Sequence, residues 1–153
     1  MDIILHPVAH VVNSRLTPED DYWGSVISEI KLNDELSPDA FLGIESYSHL
    51  EIIFYFNALP EGKIEFGARY PRDNQAWPLC GIFAQRAAGR PGKIGATIVQ
   101  FLEKKGRSIF VKGLDAIHGT PVLDIKPVFR EFLPREEIHQ PQWTHELMKN
   151  YWQ

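Results

Sequence analysis

One side of the chain repeats at every second position through Val26, Ser28, Ile30 and Leu32, and again through Ile64, Phe66 and Ala68. A period of two predicts strands with one face in a core and the other in water. β-Branched or aromatic runs at 8–12, 49–56, 82–84, 94–102, 109–114 and 122–125 are of the same type, each bounded by Gly, Pro, Asn or Asp. Between the runs at 94–102 and 109–114, Glu103-Lys104-Lys105-Gly106-Arg107 reads as a hairpin loop in which Gly106 supplies a positive φ. A series of short strands implies a sandwich or a barrel, and closure, which leaves no open edge, favours the barrel for a lone domain.

The period changes in two places. Ser37-Pro38-Asp39 carries a capping hydroxyl, a proline for the first helical position and an acid for the first turn, followed by Phe41 and Leu42. Near the C-terminus, Trp143, Leu147 and Tyr151 repeat at four-residue spacing, with Met148 and Trp152 widening the stripe, which predicts a helix over 143–152. Such a stripe must be covered, either by the outside of the barrel or by a second subunit. The expected fold is therefore all-β, a single closed antiparallel barrel over residues 1–135 with short helices, and a C-terminal helical tail over 136–153.

Length and composition agree with one self-sufficient core: 153 residues, 44% apolar and 24% charged. The longest apolar run, 50–59, is interrupted by Glu51 and Asn57 and falls far short of the roughly 20 residues that cross a bilayer. Asp2 stands where a secretory signal would carry basic residues, so a cytoplasmic location and no membrane role are expected. Cys80 is the only cysteine, which excludes an internal disulfide and a multi-cysteine zinc site and makes it a candidate buried hydrophobe. Pro7 and the strand-like run after it deny His6 and His10 a shared helical face, and no metal is expected.

The net charge of −4 hides a segregation. Residues 1–62 hold 2 basic and 11 acidic side chains, whereas residues 63–112 hold 10 basic and 3 acidic. A basic middle third creates a local field that gathers phosphate even on an acidic protein. Lys104, Lys105 and Arg107 read more simply as the solvated tip of a hairpin. Arg69, Arg72, Arg86, Arg90 and Lys93 are interleaved with Tyr70, Trp77 and Phe83, aromatic side chains of the kind that stack on bases.

Two segments carry candidate chemistry. Residues 81–95, GIFAQRAAGRPGKIG, hold four glycines, three cationic side chains and a proline in fifteen positions. Glycines let backbone N–H groups approach a ligand, and Arg86 and Arg90 offer forked donors. Neither a phosphate-binding Walker loop nor GxGxxG is present. Residues 113–127, GLDAIHGTPVLDIKP, run from Asp115 through a Gly119-Thr120-Pro121 turn into a strand that puts Asp124 and Lys126 on one face. Asp115 is suited to ribose hydroxyls or an amine; Asp124 and Lys126 are equally suited to a site or to a surface ion pair.

Together these segments resemble the TrmO-type (TsaA-like) methyltransferases. Members show G-[VI]-F-A-x-R-x-x-x-R-P-N-P-I-G and, downstream, D-x-x-D-G-T-P-V-x-D-I-K-P-Y, along with a Ser-His-Leu strand motif matched by Ser48-His49-Leu50. The resemblance covers residues 46–127. It implies a β-barrel that binds S-adenosylmethionine near a homodimer interface and methylates the N6-threonylcarbamoyl-modified adenosine beside a tRNA anticodon. By resemblance, Asn57, Arg86, Ala96, Asp115, Ala116, Ile117 and His118 stand at cofactor-contacting positions, and Arg90, Lys93 and Lys126 are aimed at substrate or cofactor anions. Methyl transfer from a sulfonium needs alignment, desolvation and loss of one proton, for which Asp124 or His118 is the candidate base.

The chain departs from the pattern at Gly92-Lys93, where the family has Asn-Pro, at His118, where it has a second acid, and at Val128, where it has Tyr. The family's N-terminal Pro-Arg-Gln motif is absent, and Asp20-Asp21-Tyr22-Trp23-Gly24 stands in about that place. Two function classes follow: a tRNA methyltransferase, or a non-catalytic barrel that binds S-adenosylmethionine or another small ligand as a sensor or interaction module.

Overall fold

In the computed structural model, which describes residues 1–153, six strands close on themselves. They are β1 (Ala9–Val12), β2 (Ile27–Leu32), β3 (His49–Tyr55), β6 (Ile94–Lys105), β7 (Ser108–Lys112) and β8 (Pro121–Pro127), in the order β1-β2-β7-β6-β3-β8, all antiparallel. A separate two-stranded ribbon pairs β4 (Ala68–Arg69) with β5 (Cys80–Gly81). The expected closed barrel is the observed one.

The alternation forces this closure. Val26, Ser28, Ile30 and Leu32 are all buried on one side of β2, and Leu50, Ile52 and Phe54 are buried on one side of β3. Of these, Ile30, Leu32, Leu50, Ile52 and Phe54 meet Ala9, Val11, Val99, Ile109, Val111 and Val122 in a single core. Each such Leu, Ile or Phe contributes about 1.5–3 kcal/mol by leaving water. Gly95 is required on β6 because Phe54 lies against it: a Cβ there would sit 2.5 Å from the ring. The β6–β7 hairpin turns at Gly106, φ +57°, as its sequence predicts.

Several expectations are corrected. Residues 64–68 form no strand beyond the start of β4, and 82–84 form a 3-10 turn (Ile82–Ala84). In each, the aromatic member lies in water, Phe66 at 76% and Phe83 at 78% exposure, and of the second run only Ile82 is buried, so neither presents an alternating face to the barrel core. The motif at Ser37 caps only a 3-10 turn, Pro38–Phe41, with the Ser37 hydroxyl accepting from the Asp39 N–H at 3.2 Å. Cys80 is half-buried rather than buried.

The C-terminal helix α1 is also shorter than the spacing predicts, spanning Gln142–Leu147. Beyond it the chain turns back, and the Tyr22 and Trp23 N–H groups donate to the carbonyls of Asn150 (3.1 Å) and Tyr151 (2.8 Å). Trp77 packs on Trp143, centroids 6.2 Å apart, and its indole N–H donates to Glu146 Oε2 at 2.8 Å. The chain's own loops thus cover the stripe in part, leaving Trp143, Leu147, Met148 and Tyr151 half-buried and Trp152 exposed. No helix is long and apolar enough to cross a membrane, and no cluster of His, Cys, Asp and Glu has the arrangement to hold a metal.

Candidate functional site

Strand β6 brings the two motif segments together. Arg86, in the loop after the Ile82–Ala84 turn, donates through Nη2 to the carbonyl of Ala96 at 2.7 Å. Its neighbour Thr97 donates through Oγ1 to Asp115 Oδ1 at 2.5 Å, and the Tyr151 hydroxyl donates to Asp115 Oδ2. Segments separated by β6 therefore meet at two consecutive residues of one strand.

Asp115 reaches this position because residues 113–120 cross an end of the barrel between β7 and β8. Leu114 and Ala116 plug the core, leaving Asp115 and Ile117 half-buried between them on the opposite side. Asn13 pins the crossing: its Nδ2 donates to the Ala116 carbonyl and to Ser28 Oγ, each at 2.9 Å. The His118 N–H donates to the Arg15 carbonyl at 2.7 Å, and His118 Nδ1 accepts a long bond from the Asn13 N–H at 3.4 Å. Gly119 closes the turn at φ +82°.

Tyr151 is a neutral donor here. Burial, reinforced by the Asp115 carboxylate, pushes its ionisation far above the usual tyrosine range, while Arg72 and Arg86 are near enough to oppose the rise. Arg72 in turn holds Asp21, with Nη2 to Oδ1 at 3.0 Å and Nη1 to Oδ2 at 3.3 Å, and also bonds the Asp20 carbonyl. Arg15 ties the same loop, bonding Glu19 and the Tyr22 carbonyl and lying 4.6 Å over the Trp23 ring. An open cleft of about 350 Å³ is lined by Gly24, Ile98, Gln100, Lys112, Gly113 and Trp152, with neither Arg86 nor Asp115 in its lining.

The other expected residues are elsewhere or differently engaged. Asn57 is exposed in the turn after β3, where its N–H donates to the Tyr55 carbonyl; it takes no part in the bonds among Arg86, Ala96, Thr97, Asp115 and Tyr151. Lys93 is buried, with Nζ 3.3 Å from both the Leu59 carbonyl and Glu61 Oε1 and 5.1 Å over the Tyr55 ring. Arg90 donates to the Gln85 carbonyl at 2.8 Å and lies 6.0 Å over exposed Phe83. Lys126 and Asp124 form an ion pair at 2.9 Å, which lifts the lysine above its usual range. At the β6–β7 tip only Lys105 is solvated as expected; Lys104 pairs with Glu45 and Arg107 donates to the Asn33 and Leu36 carbonyls, so these two tie the hairpin to neighbouring loops.

Sequence reading passed over Asn13, Arg15, Thr97 and Tyr151. Only Tyr151 carried a signal, its place in the aromatic stripe, and that signal predicted packing rather than a hydroxyl on Asp115.

A model of the tRNA-methyltransferase O N-terminal domain matches residues 13–132. The chain belongs to that family. Among TrmO-family relatives, the human tRNA (adenine(37)-N6)-methyltransferase is 34% identical over 111 residues, covering 72% of this chain but 25% of the human protein. A probable S-adenosyl-L-methionine-binding protein of Pyrococcus abyssi is 30% identical over 140 residues, covering 89% and 73% of the two chains. One so described in Methanothermobacter thermautotrophicus is 32% identical over 135 residues, covering 86% and 93%. A crystal structure of TrmO from Pseudomonas aeruginosa shares the fold, with a TM-score of 0.70 at 24% identity over 90% of this chain and 61% of that one. The chain thus spans about a quarter of the human relative and about three fifths of the solved TrmO chain. Residues 133–153, including α1 and Tyr151, lie beyond the family match.

Proposed function

We propose that this protein is an S-adenosylmethionine-dependent methyltransferase acting on tRNA, and that its acceptor is the N6-threonylcarbamoyl-modified adenosine beside the anticodon. The observation that carries the reading is the meeting of the two motif segments at Ala96 and Thr97, through Arg86 and Asp115. A guanidinium and a carboxylate anchored on adjacent residues of one strand suit a zwitterionic amino acid joined to a nucleoside. Asp115, Ala116, Ile117, His118, Arg86, Ala96 and Asn57 are the residues assigned to it.

When bound, S-adenosylmethionine supplies an electrophilic methyl group on a sulfonium. The chain's residues supply position. Asp115 keeps lone pairs free for an amine or ribose hydroxyls while Thr97 and Tyr151 fix its orientation, and Arg86 keeps donors for a carboxylate. Arg90 with Phe83, and Lys126 at the barrel surface, are assigned to tRNA phosphate and base; Lys93 supports them by bracing the loop at Leu59 and Glu61. The proton lost from the acceptor amine goes to His118, three residues from Asp115, in preference to Asp124, which is engaged by Lys126. Exposed Ile27 and Ile98 on the outer wall support a homodimer, and tRNA as substrate implies the cytoplasm.

Calorimetry with S-adenosylmethionine tests the cofactor. Wild type is expected to bind, and Arg86→Ala to bind about 10- to 100-fold more weakly, the range for a charged hydrogen bond; a wild type that does not bind refutes the reading. Methyl incorporation into tRNA from a strain lacking the protein tests the reaction. A second reading, a barrel that binds S-adenosylmethionine without transferring its methyl, is favoured by the two archaeal relatives of comparable length, whose names specify binding alone. Binding without labelled tRNA would select it.

A further inference from the structure

We propose that Tyr151, contributed by the C-terminal segment beyond the family match, is a positioning residue of the cofactor site that fixes the Asp115 carboxylate. The inference rests on the assignment of Asp115 to S-adenosylmethionine.

Two hydroxyls hold the two oxygens of Asp115, Thr97 from β6 and Tyr151 from the tail. A carboxylate gripped at both oxygens cannot rotate about its last bond, so its remaining lone pairs keep one direction. Both donors are neutral. An arginine or lysine in the place of Tyr151 would orient the carboxylate equally well but would cancel its charge, whereas a hydroxyl leaves that charge for a cationic group on a ligand. Tyr151 is also fixed in place: its carbonyl and that of Asn150 accept from Trp23 and Tyr22, and a Cβ on Gly24 would lie 1.9 Å from the Trp152 carbonyl oxygen. The charged groups facing the pair are Arg72, which is held by Asp21, and Arg86. Its hydroxyl remains protonated well beyond neutral pH, so the donor persists under working conditions.

Tyr151→Phe removes only the oxygen. Calorimetry is expected to show S-adenosylmethionine bound about 3- to 10-fold more weakly, the range of one neutral hydrogen bond, with the circular dichroism spectrum unchanged. Losing one of its two donors also frees the Asp115 carboxylate to rotate, so its carboxyl-carbon NMR signal should move in the unliganded protein, which loss of packing elsewhere in the tail does not produce. Thr97→Val should weaken binding by a similar factor. Affinity and carboxyl signal both as in wild type would overturn the proposal, and tighter binding would make the tail an obstruction instead. The Asp115 carboxyl signal without ligand also separates the two readings. If wild type fails to bind S-adenosylmethionine but that signal still moves in Tyr151→Phe, the cofactor assignment fails and the positioning contact stands. An unchanged signal removes the contact itself.

Discussion

Gly24→Ala should release the C-terminal segment while sparing the barrel. The added Cβ would lie 1.9 Å from the Trp152 carbonyl oxygen and 2.7 Å from its carbon, both backbone atoms, so the tail has to move. Gly24 is outside the left-handed region, so alanine adds no backbone strain. The displaced tail loses three hydrogen bonds: Tyr22 to Asn150, Trp23 to Tyr151, and Tyr151 to Asp115. At about 1 kcal/mol each, the total is about 3 kcal/mol. At tenfold per 1.4 kcal/mol, the undocked population rises about a hundredfold. The gain from a stiffer unfolded chain, about 0.4–1 kcal/mol, runs the other way and is smaller. Hydrogen exchange reads this directly: the Tyr22 and Trp23 amides should exchange on the order of a hundredfold faster, while those of Ile30 and Val111 keep their protection. Unchanged exchange at Tyr22 and Trp23 would refute the steric argument, because it would mean that the Trp152 backbone moves aside at no expense to the docking.

Gly95→Ala should destabilise the whole barrel instead, since its Cβ would lie 2.5 Å from two ring atoms of Phe54, which is buried and edge-on to Phe56. Overpacking of this kind costs about 1–3 kcal/mol, or roughly 2–12 °C in Tm for a chain of this size; a melting curve superimposable on wild type would show that the ring has room to shift. Lys93→Met tests the buried ammonium. Burial pulls the Lys93 pKa down, but Glu61 and Tyr55 outweigh it and hold the group above its usual value. Its contribution is therefore complete below the unfolded pKa of about 10.4 and is lost as pH rises through the higher folded value. Urea midpoints followed into alkali should fall more steeply for wild type than for Lys93→Met; parallel curves would mean that the ion pair does not contribute.

Alternation in Val26, Ser28, Ile30 and Leu32 was legible as a buried face because every second side chain points the same way whatever the partner strand. Gly106 was legible as a turn because a local conformation demands it. Ile64-Phe66-Ala68 shows the same alternation and makes no long strand, since pairing depends on distant residues and no barrel strand takes this run as a neighbour. The twelve-residue span of β6, with its register shift between Phe101 and Glu103, was likewise set by two partners that no local window contains. At the site, Arg86 and Asp115 were legible because each stands in a long motif. Asn13, Thr97 and Tyr151 were not: each acts through a bond to residues far along the chain, 103 positions from Asn13 to Ala116 and 36 from Asp115 to Tyr151.

Arg86 and Asp115 take hold of adjacent residues on β6, a central strand paired on both sides, and so neither half of the cluster can exist before the barrel does. A slip of one residue would turn Thr97 outward and carry Ala96 into the core, breaking both attachments at once. A ligand held across them would be tied to the cooperative unfolding of the entire barrel rather than to the opening of one loop. Its binding energy would appear as resistance of the core strands to denaturant, rising with the logarithm of ligand concentration.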